Sequence, residues 1–327
     1  PGPAEPGPAA SGSPLVPLFV LRTRAGELDV YSQIRFLAED ALFIRTTPEP
    51  VPAGEVTDLG WVDTALRQHA ERFLLLGNHQ RYYRRCFPGR ELEYKYNLAP
   101  RLGESGVDIW SLTALAYQRI LDGGLPGYLP EYRDEFQAWD YVNHLYEVTG
   151  PPAEQGYVSF IPTTDGRNLL KRKWFRQDTL DRGESHTYGV EAPDGFEAYL
   201  REQLGLAPGT QALRLPPFRR VRYDVNFESV RTGHVYGIFF DLASVLGAPE
   251  HRLYQCELEY LRSRTAVEPD PDAALAELAE LASWLEEFLA GQDFHPPRGY
   301  YSKLSFLRDA VAAEPALAGS AAGAVRR

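Results

Sequence analysis

The chain has 327 residues, 44% of them hydrophobic and 24% charged, with two cysteines, Cys86 and Cys256. This is the composition of a globular protein that can bury a core without cross-links, and it excludes a disulfide framework and a cysteine-rich zinc site. A formal charge of −11, from 45 acidic and 34 basic residues, argues against broad nucleic-acid binding but leaves room for a basic interior inside an acidic shell.

Residues 1–14 are Pro, Gly, Ala and Ser with one charge and read as a disordered tail. No basic segment leads into an apolar stretch, so no signal peptide is expected, and no apolar run approaches the ~18 residues of a membrane span. With only two cysteines, a reducing, cytoplasmic setting is expected, and no membrane partner. LVPLFVLR (15–22) and ALFIRTT (41–47) carry the branched and aromatic residues of strands. Residues 57–77 carry helical apolar spacing, with an acidic start and a glycine stop. Together, residues 15–87 form an N-terminal extension.

ELEYKYNL (91–98) alternates as a strand, and 107–124 reads as a helix ended by two glycines. The aromatic-rich segment 131–146 has the spacing of a packed amphipathic helix, with stacking of a nucleobase on its aromatic residues as the alternative. Strands at 157–162 and 168–175 flank the turn TTDGR, and a short helix follows at 192–205. Residues 218–230 and 234–247 form two antiparallel strands joined at 231–233. A strand at 253–265 and a leucine-striped helix at 272–290 complete the pattern, and 312–327 reads as a flexible tail. There is no repeat of fixed period and no regular βαβ series. The fold class is α+β with a largely antiparallel sheet.

Residues i, i+2 and i+4 of a strand share a face. Glu91, Glu93 and Lys95 therefore lie opposite Leu92, Tyr94 and Tyr96. Lys171 and Lys173 lie opposite Leu170 and Trp174. Arg220, Arg222 and Asp224 lie opposite Val221, Tyr223 and Val225, and Glu257 and Glu259 lie opposite Cys256, Leu258 and Tyr260. One such strand is ordinary, because antiparallel sheets often leave one face in water. Four strands with same-sign pairs are not, since like charges at i and i+2 repel unless a counter-ion sits between them. Facing carboxylate pairs suit a hard divalent cation held by oxygen, and basic pairs suit phosphate oxygens. Closing such a sheet into a barrel would bring both into one lumen.

Glu91-Leu92-Glu93-Tyr94-Lys95 resembles the ExExK signature of the CYTH, or triphosphate tunnel metalloenzyme, superfamily. The later elements occur in that family's order: LLKRKWF, RRVRYD, FFDLASVLG, CELEYL, the helix at 272–290, and SKL at 302–304. The resemblance covers roughly residues 88–308 and implies a tunnel domain over 88–311, with eight antiparallel strands. It implies that Glu91, Glu93, Glu257 and Glu259 are catalytic metal ligands, joined by Asp241. It implies that Lys95, Lys171, Lys173, Arg220, Arg222 and Lys303 bind a triphosphate, with Mg²⁺ or Mn²⁺ as cofactor. The implied activity is hydrolysis of an inorganic or organic triphosphate, with a nucleotide cyclase or transferase as the alternative. A non-catalytic polyphosphate or nucleotide sensor is the reading from another class. The long segments before the signature and at 99–156 depart from the family pattern and bear on the substrate.

Other chemistries lack their motifs. No P-loop, dinucleotide-binding glycine pattern or serine or cysteine nucleophile motif is present. The seven histidines show no metal-binding spacing, although His186 and His234 lie on or near strands. Arg81, Arg84 and Arg85 form a basic cluster beside the signature strand.

Overall fold

A computed structural model describes residues 19–37, 40–45, 51–52, 83–131, 136–264, 268–319 and 324–326. The expected tail at 1–14 and helix at 57–77 lie outside the described residues, as does Arg81. The chain divides into two compact units, residues 1–83 with 264–267 and residues 84–263 with 268–327.

The first unit contains an antiparallel sheet. Strand β1 (Phe19–Arg24) pairs with β2 (Glu27–Leu37), which also pairs with β3 (Asp40–Arg45) and β4 (Val51–Pro52). The β1–β2 turn places Ala25 and Gly26 at φ +48° and +84°, the mirror-image turn geometry that matches strand twist. Leu28 and Val30 supply buried apolar surface.

The chain passes to the second unit through the two-residue strand β5 (Tyr83–Arg84). There follow β6 (Arg90–Leu98), α1 (Ile109–Leu121), β7 (Tyr128–Pro130), β8 (Gln137–Thr149), β9 (Gly156–Pro162), β10 (Asn168–Trp174) and β11 (Asp181–Val190). Next come α2 (Phe196–Glu202), β12 (Gln211–Arg214), β13 (Phe218–Ser229), β14 (His234–Val245) and β15 (Ala248–Arg264). The unit ends with α3 (Pro271–Ala290), α4 (Lys303–Ala313), α5 (Ala316–Gly319) and β16 (Ala324–Arg326). Pairing runs β8-β9-β10-β11-β6-β15-β14-β13, and β13 pairs back to β8 from Phe218↔Asn143 to Asp224↔Gln137. Eight antiparallel strands thus close into a tunnel. Closure gives each of them two partners and removes the sheet edge.

The alternation dictates what packs outside. Leu92, Tyr96, Ile238, Phe240, Cys256 and Leu258 face α1 and α3, meeting Leu112, Ala116, Leu281 and Leu285. The N-terminus of α3 is fixed by Asp270, whose carboxylate accepts the Asp272 and Ala273 N–H groups, with Pro271 in the first turn. Buried Glu277 of α3 ties that helix to the β13–β14 hairpin, accepting from Ser229 Oγ at 2.9 Å and Tyr236 OH at 3.0 Å. On the far side, Tyr146, Val148, Val158, Phe160 and Leu170 pack on Leu200 of α2.

One end of the lumen is apolar. Leu145, Tyr157, Phe218, Ala243, Val245 and Leu253 continue the inner faces of their strands and pack against Leu304, Phe306, Leu307 and Ala310 of α4. Helix α4 therefore plugs that end.

The sequence reading differs from the structure in one region of consequence. Residues 137–149 of the segment expected to be a helix over 131–146 form strand β8. Its aromatic residues occupy both faces of the strand, because both are partly covered, and this masks the period of two. The helix expected at 192–205 contracts to Phe196–Glu202, and the strand expected at 253–265 begins at Ala248. In the C-terminal tail, Ala316–Gly319 form a helical turn and Ala324–Arg326 pair with Gln211–Leu213 of β12. Among the described residues no helix is long and apolar enough to cross a membrane.

Candidate active site

The inner faces carry the charges. Glu91, Glu93 and Lys95 project from β6, and Gln255, Glu257 and Glu259 from β15, with Glu93↔Glu259 and Lys95↔Glu257 directly opposite. Asp241 on β14 is opposite Gln255, and Arg222 on β13 is opposite Asp241. Lys171 and Lys173 on β10 are opposite His186 and Glu184 on β11, and Arg182 is opposite Glu91. Helix α4 supplies Lys303 at its first position. Ser302 caps that helix through its hydroxyl, which accepts the Ser305 N–H at 3.0 Å. Asp178 of the β10–β11 loop accepts from Ser302 N at 3.2 Å and Ser305 Oγ at 2.7 Å. The segment before the helix is held by Gly299, whose backbone exchanges two hydrogen bonds with Lys95, at 2.8 and 2.9 Å.

Two groupings emerge. In the first, Asp241 and Glu257 are saturated by cations. Glu257 meets Lys95 at 2.7 Å, Arg220 at 3.0 Å and Lys303 at 3.1 Å, and it is bridged by Arg222 as well. Asp241 meets Arg222 at 2.8 Å and Lys303 at 3.1 Å and pairs with Arg220. Burial opposes ionisation of Glu257, but Lys303, Lys95 and the two arginines hold its carboxyl well below the usual range. Asp241 is lowered likewise, against its burial, by Arg220, Arg222 and Lys303. Burial pulls Lys303 down to about 8 despite its two carboxylate neighbours.

In the second grouping, carboxylates face one another. Oxygens of Glu91, Glu93 and Glu259 lie within 4.8 Å of one another. Glu91 pairs with Lys173, and Glu93 meets Arg182 at 2.8 Å and Lys95 at 2.9 Å. Among the described residues no basic group lies within ion-pair distance of Glu259. Burial first, then Glu91, Glu93 and Glu184, push the Glu259 carboxyl well above its ordinary value. Burial and Glu93 raise Glu91 to about 7, while Lys95 and Lys173 overcome burial to bring Glu93 to about 2. This donor set fits a hard divalent cation: three converging carboxylates, all oxygen, whose repulsion a cation would relieve.

Glu91, Glu93 and Glu259 therefore converge, whereas Glu257 and Asp241 do not join them and instead hold the arginines, Lys95 and Lys303. Lys171 and Lys173 converge on Glu184, each at 3.5 Å. Arg182 and Glu184 are lumen residues that the sequence reading did not single out. Their signal was the same period of two, 182-184-186, on a strand whose outer positions Gly183, Ser185 and Thr187 are too small to mark a face. His186 lies in the lumen with Nε2 3.2 Å from Glu184. His234 lies on the outer face, its Nδ1 2.7 Å from Ser263 Oγ. Arg84 is exposed and pairs with Glu268 at 3.2 Å. At the end away from α4, Trp139 Nε1 donates to Asp224 at 2.9 Å, and burial raises the Asp224 carboxyl to about 6.

No family model matches the sequence, and no curated protein matches it. Among solved structures, it is similar to a putative adenylyl cyclase from Hippeastrum described as having a dominant triphosphatase activity. The two share 14% identity at a TM-score of 0.36, over 67% of this chain and 96% of that one. The S. pombe RNA triphosphatase is similar at 13% identity and a TM-score of 0.23, over 53% of this chain and 71% of that one. The same enzyme in complex with the Spt5 CTD gives 13% and 0.25, over 62% and 80%.

Proposed function

We propose that the tunnel binds a triphosphate together with Mg²⁺ or Mn²⁺ and hydrolyses one of its phosphoanhydride bonds. The observation that carries this reading is Glu259, which among the described residues has no basic group within ion-pair distance and lies against Glu91 and Glu93, in a lumen that also holds Lys95, Lys171, Lys173, Arg220, Arg222 and Lys303. Such a site is completed by a divalent cation and a polyanion together. Glu91, Glu93 and Glu259 would hold the metal, which when bound supplies Lewis-acid stabilisation of the phosphate charge.

The remaining chemistry belongs to the chain. Lys95, Lys171, Lys173, Arg220, Arg222 and Lys303 exchange their carboxylate partners for phosphate oxygens and hold the terminal phosphoryl in line. Asp241 and Glu257 keep Lys95, Arg220, Arg222 and Lys303 aimed into the lumen when no anion is bound, and Glu184 does the same for Lys171 and Lys173. Water adds to phosphorus as the bridging P–O bond breaks. The bond pair goes to the departing phosphate oxygen, and the proton lost by the attacking water is taken up by the phosphate products. Positioning and fixed charge supply most of the acceleration.

The test is release of phosphate and pyrophosphate from tripolyphosphate, thiamine triphosphate and nucleoside triphosphates, in Mg²⁺, Mn²⁺ or EDTA. Metal-dependent phosphate release is expected, reduced by about 100-fold or more in Glu93→Gln and Glu259→Gln. Wild-type rates in both variants would sink the assignment. Release of pyrophosphate alone would point to a cyclase or transferase.

A further inference from the structure

The two ends of the lumen differ. Along the inner face of β8, exposure rises from Leu145 at 1% and Asn143 at 5%, beside the α4 plug, to Trp139 at 49%. Trp139 is thus an aromatic residue at the open end. It is directly opposite Arg222 in the β8–β13 register, and the next inner pair is Tyr141 opposite Arg220. Directly opposed residues have Cβ atoms only about 5 Å apart and face the same way. The indole is also fixed in orientation, because its N–H is tied to Asp224. The carboxylate holds the edge of the ring, and the half-exposed indole stands opposite the guanidinium assigned to phosphate under the proposed function. A tryptophan usually buries most of its ring. Here the anchored, half-exposed ring continues the phosphate site towards solvent.

From this juxtaposition we infer that the triphosphate carries a nucleobase, which stacks on Trp139 at the mouth while its phosphates reach Arg222 and Arg220. The inference rests on the reading of the lumen as a triphosphate site. It makes Trp139 the residue that separates nucleotides from inorganic tripolyphosphate, and Asp224 a positioning residue that orients the indole. Stacking of a base on an aromatic side chain accounts for roughly 10- to 100-fold in affinity.

The experiment compares equilibrium binding of ATP, GTP, CTP, UTP and tripolyphosphate to the full chain in Mg²⁺, by titration calorimetry, alongside the phosphate-release assay. Trp139→Phe keeps a ring, whereas Trp139→Leu keeps apolar bulk without one. The wild type is expected to prefer at least one nucleotide over tripolyphosphate. The ratio of the two affinities should fall about 10- to 100-fold in Trp139→Leu and stay within a few-fold in Trp139→Phe. Equal binding of tripolyphosphate and all four nucleotides, or an equal loss for both ligands in Trp139→Leu, overturns the inference. Trp139-dependent nucleotide binding without phosphate release would uphold it and remove the hydrolase reading. Metal-dependent release from tripolyphosphate without nucleotide preference would do the reverse. Failure of every ligand to bind would remove both.

Discussion

Glu257 and Glu259 stand two residues apart on one face of one strand, yet their carboxyl groups are pushed in opposite directions. Glu257 is surrounded by Lys95, Lys303, Arg220 and Arg222 and ionises well below the usual range. Glu259 faces Glu91 and Glu93 and is held well above it. Residue type and lumen setting are shared, so the neighbours decide. One carboxylate keeps a basic cluster in place. The other adds repulsion that the fold must tolerate, and such a conflict is characteristic of functional sites.

The most forceful way to break this comparison is to neutralise each residue in turn. Glu257→Gln leaves buried cations uncompensated and should cost about 3–5 kcal/mol in urea unfolding. Glu259→Gln in EDTA should be neutral or stabilising, because it removes repulsion. Equal losses for the two would end the distinction.

A second test uses pH. Glu91 titrates near 7 when folded, against 4.5 as its ordinary value, and Glu259 is raised too. A raised carboxyl supports the folded state below its unfolded value, and that support is lost as pH rises through the folded value. The melting temperature in EDTA should therefore fall as pH rises through about 7, and Mn²⁺ should protect more strongly above that point than below it. Glu93, lowered to about 2, acts with the opposite sign, and its support is lost only as pH falls towards that value. A melting temperature in EDTA that rises across neutrality would contradict the assignment.

The smallest effect sharpens the picture of the acidic side. Arg182 is almost fully buried and joins Glu93, at 2.8 Å, to the carbonyl of Tyr300, at 2.9 Å. Lys can keep one of these contacts but not the fork, so Arg182→Lys should cost about 1–2 kcal/mol in the same unfolding assay. No change would mean that this link is not under load.

Much of this was legible in the sequence wherever one face of a strand is charged and the other apolar. Strands β6, β10, β13 and β15 announce their inner faces through Glu91, Lys171, Arg220 and Glu257, and the period of two needs no further help. Strand β8 did not, because Trp139 and Tyr141 inside and Val142 and Tyr146 outside give no contrast between faces. Strand β11 did not, because its outer positions are small. Nor could the sequence divide the carboxylates. Which of Glu257 and Glu259 meets the cations depends on Arg220, Arg222 and Lys303 arriving from β13 and α4, and spacing within β15 carries no trace of that. The apolar collar that receives α4 was likewise invisible, since side chains such as Phe218, Ala243 and Leu253 carry nothing that separates a lumen plug from any other buried surface.

That collar makes the tunnel a cul-de-sac. With α4 seated at one end, a ligand of the lumen would enter and leave by the end beside Trp139, so a chain would not be threaded through and cut along its length. Under the proposed function, only a free phosphate terminus would travel as far as Lys303. A spent product would have to back out before the next molecule came in, which would tie turnover to how quickly the lumen lysines and arginines return to Glu257 and Asp241.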